Sequence, residues 1–319
     1  MTLAAELDTK RGTSRIVELA GVRTGARADP CVNAFTVDVE DYFQVEAFKD
    51  VVDQESWEDR PSRVEENTER VLGILEAADV RATFFVLGWV AERFPLLVRS
   101  IQANGHEVAS HGHGHEMASV QTQDEFRNDV RRAKRILEDC IGVRVRGFRA
   151  PTFSIGRKNW WTYEILVEEG YVYSSSIYPI AHDLYGMPTA PRTPFHPLET
   201  CDFVEIPVAT VRLLGANRPC GGGGYFRLMP YALSRWFIDR VNRLDAMPCV
   251  FYCHPWEFDV GQPRIEGASM KSQLRHHLNI AAMERRIARL LGDFAWGRID
   301  ENYLTAGEAR PRKFMEWRG

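Results

Sequence analysis

The feature that most constrains this chain is an alternation, from residue 33 to residue 253, of short apolar runs with longer segments of helical periodicity. Residues 33–39 (NAFTVDV) and 83–87 (TFFVL) read as strands, and residues 63–78 carry Val64, Val71, Leu72, Ile74 and Leu75 on one helical face. Residues 90–102 return as a helix closed by Gly105, and residues 107–109 begin the next strand. The rhythm continues with a helix over 124–139, a strand over 143–148, a helix over 160–169 stopped at Gly170, and a strand over 171–174. Strands over 205–208 and 249–253 flank a helix over 231–244, and a last helix falls near 280–291. A helix between two strands returns the chain to its starting edge, so the strands run mostly parallel. At 319 residues such alternation favours a closed or nearly closed barrel.

Two stretches break the pattern. Residues 1–30 read as a tail that ends at Pro30. Residues 178–200, with Pro179, Pro188, Pro191, Pro194 and Pro197, read as a long ordered loop beside the active site. A formal net charge of −4 gives no electrostatic reason to expect a nucleic acid or an anionic membrane as partner. No apolar run approaches the roughly 18 residues of a membrane span. Residues 1–29 lack the apolar core of a signal peptide, so a cytoplasmic protein is expected. The six cysteines form no CxxC pair and read as reduced thiols. Nothing in the sequence sets an oligomeric state.

The chemistry concentrates in His111-Gly-His-Gly-His115 and Asp38-Val-Glu-Asp41. Read as a helical turn, the first places His111 and His115 on one side. One carboxylate added to two imidazoles makes a three-ligand site with a position left for water. Strand alternation puts Asp38 and Glu40 on the same face, so Glu40 is the preferred ligand and Asp41 the fallback. His113 should point elsewhere. Asp38 is then the general base toward the attacking water, with the Arg149 guanidinium in Gly147-Phe-Arg-Ala-Pro151 as its charged partner. Pro151 stiffens a turn from which the Thr152 N–H can face a developing oxyanion. His254, after Val250-Phe-Tyr-Cys, is the candidate general acid. Asp38, His111, Arg149 and His254 all fall at or just past strand ends, where parallel barrels do their chemistry. The run Cys220-Gly-Gly-Gly-Gly-Tyr225 lacks phosphate-loop spacing and reads as backbone approaching a bulky ligand, or as a mobile loop.

Taken together, these residues resemble the polysaccharide deacetylases of the nodulation-type chitooligosaccharide deacetylase group, carbohydrate esterase family four. The resemblance spans residues 34–255. It rests on Thr36-Val-Asp-Val-Glu-Asp41, Ala82-Thr-Phe-Phe-Val-Leu-Gly88, Gly105-His-Glu-Val-Ala-Ser-His111 through His115, Arg149-Ala-Pro151 and Tyr252-Cys-His254. Within the family it resembles the branch of exosortase-type exopolysaccharide gene clusters, through Asp38-Val-Glu-Asp-Tyr-Phe43, Gly222-Gly-Gly-Tyr-Phe226 and His254-Pro-Trp-Glu-Phe258. The resemblance implies an α/β fold, a distorted (β/α) barrel of mostly parallel strands whose ring need not be complete. It implies removal of N-acetyl groups from N-acetylhexosamine units of an oligosaccharide, a polysaccharide or a lipid-linked precursor. The implied cofactor is a divalent metal, Zn2+ first, with Co2+ or Ni2+ as substitutes. The implied layout is a catalytic domain over 31–255 and a C-terminal extension over 256–319. Where the family has adjacent aspartates, Val39 follows Asp38 here. Where it has an aspartate tuning the acid histidine, this chain reads Tyr173-Ser-Ser-Ser176, which leaves another acid, such as Glu257, to orient His254. Two other readings stand beside this one: a metal-dependent deformylase or amidase on a small molecule, and a non-catalytic glycan-binding scaffold.

Overall fold

The computed structural model describes residues 31–304 and the backbone of 315–316; the expected tail over 1–30 lies outside the described residues. Strand β1 (Asn33–Val39) is buried along its whole length, as expected of a strand covered on both faces of a parallel sheet. It is followed by α1 (Val64–Ala77), β2 (Thr83–Val86), α2 (Gly88–Arg93), α3 (Pro95–Ala103), β3 (Glu107–Ser110) and α4 (Gln123–Ile141). Next come β4 (Gly147–Phe148), α5 (Thr162–Glu168), β5 (Tyr173–Ser174), β6 (Phe195–His196) and β7 (Val204–Glu205). A hairpin of β8 (Thr210–Leu213) and β9 (Ala216–Pro219) precedes α6 (Gly223–Leu228), α7 (Tyr231–Leu244) and β10 (Val250–Cys253). The chain continues with α8 (Met270–His277), α9 (Met283–Asp293), β11 (Trp296–Gly297) and α10 (Ile299–Tyr303).

The main sheet runs β10-β1-β2-β3-β4-β5-β7-β6, with β11 also on β1, and every pairing but β6 with β7 is parallel. It is a curled half-barrel, an incomplete ring. The segment after β7 crosses to β10 through single hydrogen bonds rather than a strand. Val208 N–H donates to the Ile177 carbonyl, Ala209 N–H to Val250, and Tyr252 N–H to Gly221. The expected distorted barrel of mostly parallel strands is the observed architecture. No helix among the described residues is long and apolar enough to cross a membrane.

Register fixes the site. Val37 pairs with Cys253 on one side, and Asp38 pairs with Phe85 on the other. Ser110 pairs with Phe148, and Phe148 with Ser174. The residues that follow these pairs (His254, His111, Arg149 and Ser175) therefore leave the sheet along one rim, level with the end of β1.

Several expected elements differ, each for a local reason. The helix expected over 90–102 is two helices, because Pro95 has no N–H to continue the first and instead opens the second. The strands expected over 143–148, 171–174 and 205–208 each shorten to two residues. In the first of these, the Val145 N–H turns to the Glu138 carboxylate instead of a neighbouring strand. The glycines at 221–224 lead into α6 and pack against the chain's own backbone and side chains. A Cβ on Gly221 would collide with the Val250 carbonyl, and one on Gly223 with the Glu257 carboxylate. Glycine is needed there so that α6 can press against β10 and the turn after it.

Candidate active site

The histidine loop is built by backbone, not by a helix. The His111 N–H continues the ladder to Val86, and then the chain turns through Gly112 (φ 77°) and reaches His115 at φ 54°. The helical turn expected for these five residues is thus absent, and a positive φ at a non-glycine marks local strain. Asp129 from α4 clamps the turn by accepting from the N–H groups of His113 and Gly114. A Cβ on Gly112 would lie 2.7 Å from the Asp129 carboxylate, so glycine is required by space as well as by φ. The start of α2 holds the other side, with Gly88 and Trp89 N–H donating to the carbonyls of Gly112 and His113.

This loop and the end of β1 bring Glu40, His111 and His115 together, with one ligand atom from each lying within 4.8 Å of the others. His115 Nε2 is 2.6 Å from Glu40 Oε2, an oxygen buried without another hydrogen-bond partner. His111 Nδ1 lies 2.8 Å from the Arg149 carbonyl, which can only accept. The hydrogen therefore sits on Nδ1 and the lone pair on Nε2, the arrangement in which an outer partner orients a metal-binding imidazole. Burial holds the His111 pKa down to about 4, so the ring is neutral. Burial alone would raise Glu40, but His115, His254 and His111 outweigh it and hold it well below the usual carboxylate range. The second Glu40 oxygen accepts from the Trp256 indole at 3.2 Å. Two imidazoles and one carboxylate, oriented from behind and buried, suit a borderline divalent cation.

Asp41, the fallback ligand, is engaged elsewhere. Its Oδ2 accepts from the Ser62 hydroxyl and the N–H groups of Arg63 and Val64, capping the start of α1, while Oδ1 accepts from Tyr42 N–H. The structure thus brings Glu40 and not Asp41 to the two histidines. His113 also points away, toward Glu92 at 3.2 Å.

Asp38 is buried and pairs with Arg149, Nη1 to Oδ1 at 2.6 Å. Arg149 is wholly buried. It donates to the Thr36 hydroxyl, to the Ser175 carbonyl and to the Ser175 hydroxyl, and its guanidinium lies 4.0 Å over the Phe85 ring. Thr36 and Ser175 escaped sequence reasoning because their role is to fix a residue rather than to react. Thr152 stands in the turn after Pro151 with φ 56°, a second strained position at this rim.

His254 faces the same centre from β10. Its Nε2 is 3.5 Å from Glu40 Oε1 and 4.0 Å from Asp38 Oδ2. Its Nδ1 is 3.4 Å from Glu257 Oε2, which also accepts the His254 backbone N–H at 3.0 Å. Burial would lower the imidazole, but the carboxylates of Glu40, Glu257 and Asp38 overcome it and push His254 up to about 9. The Trp256 ring stacks on His254 with centroids 5.0 Å apart, and His276, left unassigned from sequence, stacks on the far face of Trp256 at 4.1 Å. Arg227, also missed, donates from Nε to Glu257 Oε1 at 2.9 Å. Chemically, the arrangement offers a cation site, an acceptor held by a guanidinium and a donor imidazole around one space.

Comparison with known proteins divides the chain in two. Residues 55–168 match the family described as Polysaccharide deacetylase, and residues 175–304 match a domain of unknown function, DUF3473. A peptidoglycan-N-acetylglucosamine deacetylase of Bacillus cereus is 35% identical over 86 residues, which is 27% of this chain and 31% of that protein. A chitooligosaccharide deacetylase of Sinorhizobium fredii is 39% identical over 85 residues, 26% of this chain and 40% of that one. The chain spans about a third of the length of the curated relatives it matches. Among solved structures, a polysaccharide deacetylase from Mycobacterium smegmatis superposes with TM-score 0.53 at 24% identity, covering 86% of this chain and 89% of that one. An allantoinase superposes with TM-score 0.54 at 16% identity, covering 84% and 87%. Both structural likenesses concern the fold alone.

Proposed function

We propose, from the premise that this chain carries a polysaccharide deacetylase domain, that it hydrolyses the N-acetyl amide of N-acetylhexosamine units in an oligo- or polysaccharide or its lipid-linked precursor. One observation carries the reading. Glu40, His111 and His115 converge at the strand-end rim, where the Asp38–Arg149 pair and His254 meet them. The first three would hold a divalent cation, Zn2+ by donor type. When bound, the cation supplies Lewis acidity, sharpening a water and polarising the acetyl carbonyl.

The chain's own residues do the rest. Asp38 accepts a proton from the attacking water through the carboxylate oxygen that Arg149 leaves free. The Thr152 N–H faces the carbonyl oxygen as it gains charge. His254 gives the Nε2 proton to the departing amine, so acetate and a free amino sugar leave. Residues 31–255 form the catalytic domain on this reading, and residues 256–304 pack on it. Exopolysaccharide maturation of the exosortase-linked type is the setting that the Asp38–Phe43 and His254–Phe258 stretches favour.

Purified protein loaded with zinc should release acetate from N-acetylglucosamine oligomers or from N-acetylgalactosamine polymers, and a chelator should stop it. No acetate from either class, with zinc bound, would overturn the assignment.

A further inference from the structure

A cavity of about 310 Å³ opens where the strands begin, and nothing in the chemistry above uses it. The seven residues of β1, at about 3.3 Å each, put roughly 20 Å between this edge and the strand ends that carry the candidate active site. The cavity wall includes Gly105, His106, Arg144, Arg146, Arg298 and Asp300.

Arginine converges on this space from separate parts of the chain. Arg81 stands just before β2, Arg144 and Arg146 lie between α4 and β4, and Arg298 lies between β11 and α10. Arg298 is committed, donating to both Asp300 oxygens and to the Gly105 carbonyl. Arg81 crosses the same glycine, its Nε 2.9 Å from where a Cβ on Gly105 would stand. Arginines near helix C-termini often serve only to satisfy the last carbonyls. Here Arg81, Arg144 and Arg146 are exposed, and among the described residues none of them has a hydrogen-bonded acceptor or a carboxylate within ion-pair reach. The acids at the cavity are occupied: Asp300 by Arg298, and Glu107 by the Thr83 and Tyr173 hydroxyls and the Asp300 N–H.

His106 adds a buried donor. It is 6% exposed, and its Nδ1 accepts the Ala82 N–H, so the hydrogen sits on Nε2 at the other side of the ring. That N–H meets no acceptor among the described residues. Burial, and then the Arg298 and Arg81 charges, keep the ring neutral, which marks the surrounding field as positive. Guanidinia gathered without carboxylates repel one another, and an oxyanion relieves the repulsion through charge-assisted, forked hydrogen bonds. A phosphate group, with up to two charges and three acceptor oxygens, engages more of these donors than a carboxylate does. The volume exceeds that of one bare oxyanion and matches the lower end of small-molecule sites.

We propose that this cavity is a second ligand site, which takes the phosphate group of a phosphorylated ligand between Arg144, Arg146 and Arg81, with the His106 Nε2–H donating from the wall. The distance between the two edges separates this ligand from the acetamide under attack, so the proposal stands apart from the deacetylase reading.

Calorimetric titration of inorganic pyrophosphate into the zinc-loaded protein at low salt tests it. The parent should show one saturable site, and a variant carrying Arg144→Ala and Arg146→Ala should bind at least about tenfold more weakly. The variant should keep the parent's thermal midpoint and its acetate release in the absence of pyrophosphate. Unchanged affinity in the variant, or no saturable binding to the parent, would overturn the proposal. If the variant does not fold, the His106 ring N–H resonance of the parent decides instead: a shift that saturates with pyrophosphate supports the site, and no shift contradicts it. Sedimentation with phosphatidylcholine vesicles carrying phosphatidic acid tells the two bearers of such a phosphate apart. A lipid headgroup ligand brings down the parent but not the variant, and a free phosphate ester leaves both in solution. A parent that binds pyrophosphate but releases no acetate would sink the deacetylase reading and leave this site standing.

Discussion

The two rims of the sheet each bury a carboxylate, and they treat it in opposite ways. At the strand-end rim Asp38 gives one oxygen to a buried guanidinium, and its other oxygen faces His254. At the strand-start rim Glu107 is surrounded by neutral donors: the Thr83 hydroxyl at 2.6 Å, the Tyr173 hydroxyl at 3.0 Å and the Asp300 N–H at 3.2 Å. Burial, and then the Asp300 charge, push Glu107 up to about 7. This carboxyl group, among neutral donors, ties β2 and β5 to α10. One paired with a fixed guanidinium, beside the His254 imidazole, is equipped to move protons. On the proposed reading, the same side-chain chemistry serves cohesion at one rim and reaction at the other.

The sharpest way to break this contrast is isosteric exchange at both rims. Asp38→Asn should lower acetate release by about 10²–10⁴-fold with zinc retained, whereas Glu107→Gln should leave the rate within about twofold. Comparable losses at the two positions would erase the distinction. Arg149→Met, next in size, strands Asp38 in the interior without its partner and should cost about 3–5 kcal/mol in urea unfolding. Gly223→Ala should cost about 1–3 kcal/mol by overpacking α6 against Glu257, and should slow turnover more than it weakens substrate binding.

The smallest effects belong to pH, where the strand-start rim carries two opposing signs. Glu107 has a folded pKa of about 7 above its usual 4.5, so its stabilisation is complete below about 4.5 and is lost as pH rises through 7. His106, which accepts the Ala82 N–H, is held down to about 4 by burial first and then by Arg298 and Arg81. Its contribution is complete above 6.5 and is lost as pH falls through 4. Urea midpoints measured from pH 4 to 8 should fall less at the alkaline end in Glu107→Gln than in the parent. An unchanged alkaline slope would reassign that loss to other groups.

Much of the candidate site was legible because strand ends are legible. Asp38, His111, Arg149 and His254 each follow a short apolar run, and the parallel register carries them to one rim. The histidine pair was found from its spacing, but the helical turn invoked for it does not exist. Gly112 and His115 reach the same juxtaposition through positive φ angles that spacing does not encode. Between Glu40 and Asp41, alternation along β1 favoured the acid that the fold brings beside the two histidines, and what turned Asp41 away was its engagement with α1, a tertiary fact. Arg227 gave no signal, because it lies in a glycine-rich stretch and its partner is thirty residues away. The β8–β9 hairpin was hidden for another reason. Its turn uses Leu214 and Gly215, both at positive φ, and leucine is not a residue that announces such a turn.

The account turns on a cation held by Glu40, His111 and His115, and metal stoichiometry after dialysis against zinc tests it most directly. One equivalent per chain is predicted for the unaltered protein and for Asp38→Asn, falling to background in a variant carrying both His111→Ala and His115→Ala. No bound metal in the unaltered protein, or full occupancy in the double variant, would contradict it.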